Sequence, residues 1–192
     1  MPLNIPILLT WLRIILIPLL VAVFYVPETL IPCAGRDALA TLIFVVAAAT
    51  DWLDGYLARR WNQTSSFGAF LDPVADKLMV AAALILLVHF ERLDAILAII
   101  IIGREITISA LREWMAQIGA HKSVAVSMIG KIKTTAQMVS IPLLLYHAPA
   151  YGLDMQFIGT WLIYIAAVLT LWSMGYYMQM AWPYLINQDK QH

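Results

Sequence analysis

The sequence is poor in charge and in cysteine. Charged residues occupy 12% of its 192 positions, against about 25% in soluble domains, whereas 62% of the positions are hydrophobic. Twelve basic residues balance twelve acidic ones, so the net charge gives no reason to expect nucleic-acid binding. The single cysteine, Cys33, excludes an internal disulfide. These deficits predict an integral membrane protein.

Six apolar stretches account for most of the chain, and each is close to the roughly 20 residues that a helix needs to cross a bilayer. No internal repeat is visible. We therefore predict an all-α protein with one domain over residues 1–192, six transmembrane helices and a short N-terminal interfacial segment. The predicted spans are residues 7–26, 38–60, 67–90, 93–115, 131–149 and 155–183. Aromatic residues of the last span, Tyr177 among them, are expected to lie at the membrane interface or in packing contacts.

Basic residues are distributed unevenly between the two ends of these spans. Ten Lys and Arg residues fall on the side of the termini, and two, Arg36 and Arg92, fall on the opposite side. Because cytoplasmic loops are enriched in Lys and Arg, we expect both termini to be cytoplasmic. No basic residue precedes Arg13, so we expect no cleaved signal peptide.

The segment between the second and third spans holds four acidic residues in two pairs. Asp51 and Asp54 are three residues apart, and Asp72 and Asp76 are four apart, so each pair lies on one face of a helix. One carboxylate at the centre of a bilayer costs about 2.5–3.5 kcal/mol. These four must therefore lie in a wet cavity, pair with cations or bind hard divalent metal ions, which prefer all-oxygen ligands. Four solvated carboxylates in a cytoplasmic loop are the simpler alternative.

A second polar cluster lies in the fourth and fifth spans. Arg104 and Arg112 are eight residues apart, which places them within about 80° of each other around a helix. Arg suits bidentate binding of phosphate, and Lys131 and Lys133 lie at a helix start, which also favours an anion. We predict a phosphate site here, with Glu105 orienting one arginine. The alternatives are a buried ion pair at Glu105 and a basic anchor at the membrane edge.

Three polar residues interrupt the apolar start of the chain: Asn4, Thr10 and Arg13. They fit a capped helix start with a snorkelling arginine, or a contribution to the polar site. The sequence leaves both alternatives open.

The acidic segment resembles the signature of the CDP-alcohol phosphotransferase family, D-x2-D-G-x2-A-R-x8-G-x3-D-x3-D. Its fixed positions are filled by Asp51, Asp54, Gly55, Ala58, Arg59, Gly68, Asp72 and Asp76. The resemblance implies that the four aspartates bind two divalent cations, Mg²⁺ or Mn²⁺, and that Asp76 is also the catalytic base. It further implies that the cytidine diphosphate is bound by Asp51, Gly55, Ala58, Arg59, Gly68 and Asp72.

Two further runs, G-R-E-x-x-x-S-A-L-R-E and K-x-K-T-x-x-Q, resemble those of family members whose acceptor is sn-glycerol 3-phosphate. The residues implied to bind the acceptor phosphate are Arg104, Arg112, Lys131, Lys133, Thr134 and Gln137. The implied reaction transfers a phosphatidyl group from CDP-diacylglycerol and releases CMP, in a homodimer at the cytoplasmic side of the bacterial inner membrane.

Two alternatives to this function stay open at this point. In the first alternative, the enzyme performs the same transfer to another alcohol acceptor, namely phosphatidylglycerol, serine or inositol phosphate. A divalent-cation transporter also carries carboxylates within the membrane. The clustering of the aspartates at one membrane edge disfavours transport, since a transport path needs polar residues that continue to the far side.

Overall fold

The computed structural model describes residues 5–61, 66–118, 128–149 and 152–188, and these residues form six α-helices and no strand. All six predicted helices are present, with ends displaced by a few residues from the hydropathy boundaries. The helices are α1 (Ile5–Tyr25), α2 (Cys33–Trp61), α3 (Ser66–His89), α4 (Ala95–Gln117), α5 (Met128–Tyr146) and α6 (Met155–Gln188). The separate interfacial segment is not seen in this part of the chain, because α1 is already continuous from Ile5, and residues 1–4 lie outside the description.

Three of the helices are long and apolar enough to cross a membrane, over Leu8–Tyr25, Cys33–Leu53 and Met155–Trp182. The other three carry more charge or are less apolar. Asp72, Asp76 and Lys77 lie inside α3, and Arg104, Glu105 and Arg112 lie inside α4. The charges that weaken the hydropathy of α3 and α4 are therefore the same ones that suggest a site.

The main apolar core lies between helices α1 to α6 and is built from fully buried aliphatic and aromatic side chains, among them Leu20, Phe44, Leu84, Ile101 and Leu144. A second, smaller core joins α4 to α6 and contains Ile108, Met115, Tyr177 and Ala181. The smaller core lies along the half of α4 that carries Arg104 and Arg112. It therefore fixes α6 behind the predicted phosphate site.

Helices α5 and α6 approach each other closely at Gly159. A Cβ atom at this position would lie 2.9 Å from the side chain of Leu144, so a larger residue would force the helices apart. The hydroxyl of Ser140 donates to the carbonyl of Gly159 over 2.7 Å across the same contact. Small residues at helix contacts serve this purpose in membrane proteins.

Arg92 ties several helices together at one end of the bundle. Its Nη2 donates to both carboxylate oxygens of Asp37 at 2.8 Å, and its Nη1 donates to the carbonyl of Leu145 at 2.7 Å. The amide of Gln156 donates to its carbonyl at 3.1 Å, and its guanidinium lies 6.0 Å from the ring of Phe24. These contacts join the loop before α4 to α1, α2, α5 and α6.

Pro73 lies in the interior of α3, between Asp72 and Asp76. Proline has no N–H, so the helical ladder loses one hydrogen bond at this point. Such a loss permits a local bend. Helix α3 nevertheless continues through Pro73 from Ser66 to His89.

Candidate active site

One cavity joins the two polar clusters that the sequence separates. It has a volume of about 240 Å³, below the roughly 300–1,000 Å³ of pockets that enclose drug-sized ligands. This size suits a small polar molecule or a diphosphate better than a whole lipid nucleotide. Its lining residues come from α2 to α5: Asp51, Asp76, Lys77, Val80, Arg104, Glu105, Arg112, Thr134, Gln137 and Met138.

The aspartates and the arginines line this cavity from different helices. The two aspartates, Asp51 and Asp76, come from α2 and α3, whereas both arginines, Arg104 and Arg112, come from α4. Each wall also contains one charge of the opposite sign, Lys77 beside the aspartates and Glu105 beside the arginines. We call the two sides the acidic wall and the arginine wall after the residues that predominate on each. The spacing of eight residues between the arginines does bring both of them to one cavity.

Helix α1 contacts the aspartates directly. The hydroxyl of Thr10 donates to Oδ1 of Asp72, and Nη1 of Arg13 lies 3.0 Å from Oδ1 of Asp51. Thr10 and Arg13 are each 1% exposed, although they lie in a helix that is long and apolar enough to span a membrane. The alternative that the sequence left open is thereby decided for these two residues, because both contact the acidic cluster. Asn4 lies outside the described residues.

The acidic wall has the donor chemistry of a divalent-cation site. Asp51 and Asp76 present carboxylate oxygens to one cavity from two different helices, and hard divalent ions prefer such ligands. Among the side chains that the structure describes, no three His, Cys, Asp or Glu residues are grouped closely enough to hold an ion by themselves. The side chain of Asp54, the fourth aspartate of the motif, lies outside the description. The carboxylates present fit such an ion, and the metal site stays a prediction.

Glu105 organises two of the predicted phosphate ligands. Its Oε1 accepts from Nη1 of Arg104 at 3.0 Å and from Nζ of Lys133 at 2.5 Å. The side chain of Lys133 is only 1% exposed and does not line the described cavity. The buried ion pair considered from the sequence is therefore real, and it contains Lys133 as well as Arg104. Glu105 engages the ammonium group of Lys133, and the phosphate contact expected of this residue stays a prediction.

Arg104 keeps an uncommitted donor beside the cavity. Its side chain is 4% exposed, and its Nη2 donates to Oγ of Ser173 at 3.2 Å. Within the described part of the chain, its Nε is buried and has no hydrogen-bond partner. Because buried donors are nearly always satisfied, a guanidinium N–H in this position fits an anionic ligand.

Arg112 is exposed to the cavity and packs on an aromatic ring. The centre of its guanidinium lies 5.7 Å from the ring centroid of Tyr177, which is 1% exposed. Tyr177 packs in the smaller core, as expected from the sequence, and its ring also contacts Arg112. Ser173 and Tyr177 were both missed from the sequence, although Thr170, Ser173 and Tyr177 recur on one face of α6 and form a polar stripe there.

The other predicted residues divide into two groups. Thr134 and Gln137 line the cavity, and Gly68 is buried near the start of α3. The remaining predicted residues have side chains outside the description: Asp54, Gly55, Ala58, Arg59 and Lys131. Their predicted contacts with nucleotide, metal or phosphate stay predictions.

Comparisons with known proteins agree with the motif. The family model for CDP-alcohol phosphatidyltransferase matches residues 3–172. A curated protein of Escherichia coli (strain K12), CDP-diacylglycerol–glycerol-3-phosphate 3-phosphatidyltransferase, is 54% identical over 190 residues, which cover 98% of this chain and 100% of that protein. The protein of the same name from Shigella flexneri serotype 5b (strain 8401) has the same identity and coverage. The chain therefore belongs to the CDP-alcohol phosphatidyltransferase family, as its aspartate motif predicted.

Proposed function

We propose that this protein transfers the phosphatidyl group of CDP-diacylglycerol to sn-glycerol 3-phosphate and releases phosphatidylglycerophosphate and CMP. Relatives that are 54% identical over nearly the whole chain carry the name of this activity. The observation that carries the proposal is the cavity with an acidic wall and an arginine wall. It offers neighbouring places for a metal-bound diphosphate and for a second, phosphate-bearing substrate.

The acidic wall is proposed to hold the diphosphate of the donor substrate. Two divalent cations, Mg²⁺ or Mn²⁺, would be bound by Asp51, Asp54, Asp72 and Asp76, and when bound they would neutralise the diphosphate and the leaving CMP. Arg13 and Thr10 hold Asp51 and Asp72 in place from α1. Gly55, Ala58, Arg59 and Gly68 are proposed to contact the nucleotide beside Asp51 and Asp72.

The arginine wall is proposed to hold glycerol 3-phosphate. Arg104 offers its buried Nε and Arg112 its exposed guanidinium, while Thr134 and Gln137 add polar groups from α5. Lys131 and Lys133 complete the proposed set, with Lys133 acting through the Glu105 contact described above. Two arginines suit a phosphate because each offers a planar pair of donors.

In the proposed reaction, Asp76 accepts the proton of the acceptor hydroxyl. The hydroxyl oxygen then forms a bond to the lipid-side phosphorus, and the bond from that phosphorus to the bridging oxygen of the diphosphate breaks. CMP leaves with the bridging oxygen. Asp76 is suited to this role because its carboxylate faces the cavity that Arg104 and Arg112 also line, so an anchored acceptor lies within reach.

The proposal extends to the membrane arrangement. All six helices of the single domain would cross the bacterial inner membrane, with both termini and the cavity on the cytoplasmic side. The excess of Lys and Arg on that side supports this orientation. A polar cavity also explains why α3 and α4 can carry charges at membrane depth. Membership of the family supports a homodimer.

The test is release of CMP from CDP-diacylglycerol by purified protein, with and without sn-glycerol 3-phosphate. We expect release to require the acceptor and to yield phosphatidylglycerophosphate. Parallel reactions contain phosphatidylglycerol, serine or inositol phosphate in its place. If one of these supports turnover and glycerol 3-phosphate does not, the acceptor is wrong. If none does, while liposomes containing the protein take up Mn²⁺, the transporter alternative replaces the enzyme.

A further inference from the structure

Helix α6 contacts both arginines of the cavity, although none of its residues lines the cavity itself. Ser173 accepts a hydrogen bond from Nη2 of Arg104 at 3.2 Å, and Tyr177 presents its ring to Arg112 at 5.7 Å. Ser173 and Tyr177 are four residues apart, so they lie one helical turn apart on the same face of α6. The two arginines are thus supported from behind by one side of one helix.

The Ser173 hydroxyl has a defined direction. Its proton is donated to the carbonyl of Thr170 at 2.9 Å, which leaves its oxygen lone pairs to accept from Arg104. Ser173 is 2% exposed. A buried acceptor with a fixed proton restricts the rotamer of the guanidinium that donates to it. With Nη1 on Glu105 and Nη2 on Ser173, the remaining Nε of Arg104 has a fixed position.

The Tyr177 ring is also held rigidly. It belongs to the small core with Ile108, Met115 and Ala181, in which all four side chains are 1% exposed or less. A buried ring cannot move away when Arg112 approaches its face. Arg112 itself is exposed, so the ring restricts a long side chain that solvent would otherwise leave mobile.

We propose that Ser173 and Tyr177 are positioning residues for the acceptor phosphate, acting through Arg104 and Arg112. The proposal rests on the proposed function, because it assigns these arginines to glycerol 3-phosphate.

The test compares steady-state kinetics of the full-length protein and its variants with both substrates varied. Tyr177→Leu keeps an apolar side chain in the core but removes the ring face. We expect it to raise KM for glycerol 3-phosphate about three- to tenfold, with kcat and KM for CDP-diacylglycerol unchanged. Tyr177→Phe retains the ring and should restore the wild-type KM. Ser173→Ala should raise the same KM by a similar factor.

Trp172→Leu is the matched control, since it removes a ring that is 70% exposed on another face of α6. It should leave both KM values unchanged. The inference is overturned if Tyr177→Leu has wild-type KM values, if both KM values rise together, or if Tyr177→Phe is as impaired as Tyr177→Leu. If Tyr177→Leu does not fold, Ser173→Ala decides by the same criterion. A wild-type protein that makes no product from glycerol 3-phosphate rejects the proposed function instead.

Discussion

Two arginines, Arg92 and Arg104, connect helices at different places in this molecule, and they differ in how completely their donors are used. Arg92 gives Nη2 to both oxygens of Asp37 and Nη1 to a backbone carbonyl, all within 2.8 Å. Arg104 shares Glu105 with Lys133 and keeps a buried Nε that has no partner among the described residues. We therefore interpret Arg92 as a residue that stabilises the fold and Arg104 as a residue that has a donor left for a ligand.

The largest expected effect concerns the acid opposite Arg104. Asp76→Asn should lower kcat by about 100- to 10,000-fold, because the amide cannot accept the hydroxyl proton. Binding of CDP-diacylglycerol should largely survive. The measurements are CMP release and binding of the lipid nucleotide to the purified variant.

Asp94→Asn provides the matched control for this prediction. Asp94 caps α4 by accepting from the N–H of Ile96 at 2.7 Å, and asparagine caps helices equally well. Its turnover should equal that of the wild type. Wild-type turnover in Asp76→Asn would contradict the assignment of Asp76 as the catalytic base.

Removing Arg92 should act on stability instead of activity. Arg92→Ala leaves the carboxylate of Asp37 with a side chain only 11% exposed and without its bidentate partner. Breaking a buried pair in this way costs about 3 kcal/mol of unfolding free energy. We expect a lower Tm in detergent and wild-type KM values at temperatures where the variant is folded. A selective rise in KM for glycerol 3-phosphate would contradict the division between the two arginines.

Removing Arg112 should act on the acceptor. Arg112→Ala is expected to raise KM for glycerol 3-phosphate about tenfold or more, since a charge-assisted hydrogen bond contributes about 1.5–3 kcal/mol. KM for CDP-diacylglycerol should change much less. Arg112 is exposed and has no part in the Arg92 network, so Tm should stay close to that of the wild type. Equal increases in both KM values would argue against a separate acceptor site.

The smallest effect on stability is expected at the ion pair between Glu28 and Arg36, which lies near Arg92. The pKa of Glu28 lies below its ordinary value of 4.5, first because the Cys33 thiol donates to it and then because of Arg36 at 2.8 Å. A carboxyl group with a lowered pKa stabilises the folded state at pH values above its ordinary pKa. That stabilisation is lost as the pH falls through the lowered pKa. Exposed pairs contribute little, so Glu28→Gln should shift Tm at pH 7 by no more than about 2 °C. A larger shift would contradict this assignment.

The sequence predicts the parts of this molecule whose information is local. Hydropathy predicts the six helices, and the aspartate motif predicts the acidic wall. The spacing of eight residues predicts that Arg104 and Arg112 converge, because helical periodicity alone determines it.

Contacts between distant segments have no such local signal. Thr10 meets Asp72 across 62 positions, and Arg104 meets Ser173 across 69. The pairing of Lys133 with Glu105 also depends on how α4 and α5 pack. These contacts depend on how the helices pack against one another, and the sequence of each helix alone contains no pattern that predicts them.

The central claim is that acidic and arginine walls of one cavity hold the two substrates side by side. It is tested most directly by ³¹P NMR of glycerol 3-phosphate in the presence of Mn²⁺ and an excess of protein. The account predicts that protein-bound Mn²⁺ broadens the acceptor phosphorus signal, and that Arg112→Ala reduces this broadening while Trp172→Leu does not. A signal that stays sharp with a protein that is active in Mn²⁺ would contradict it.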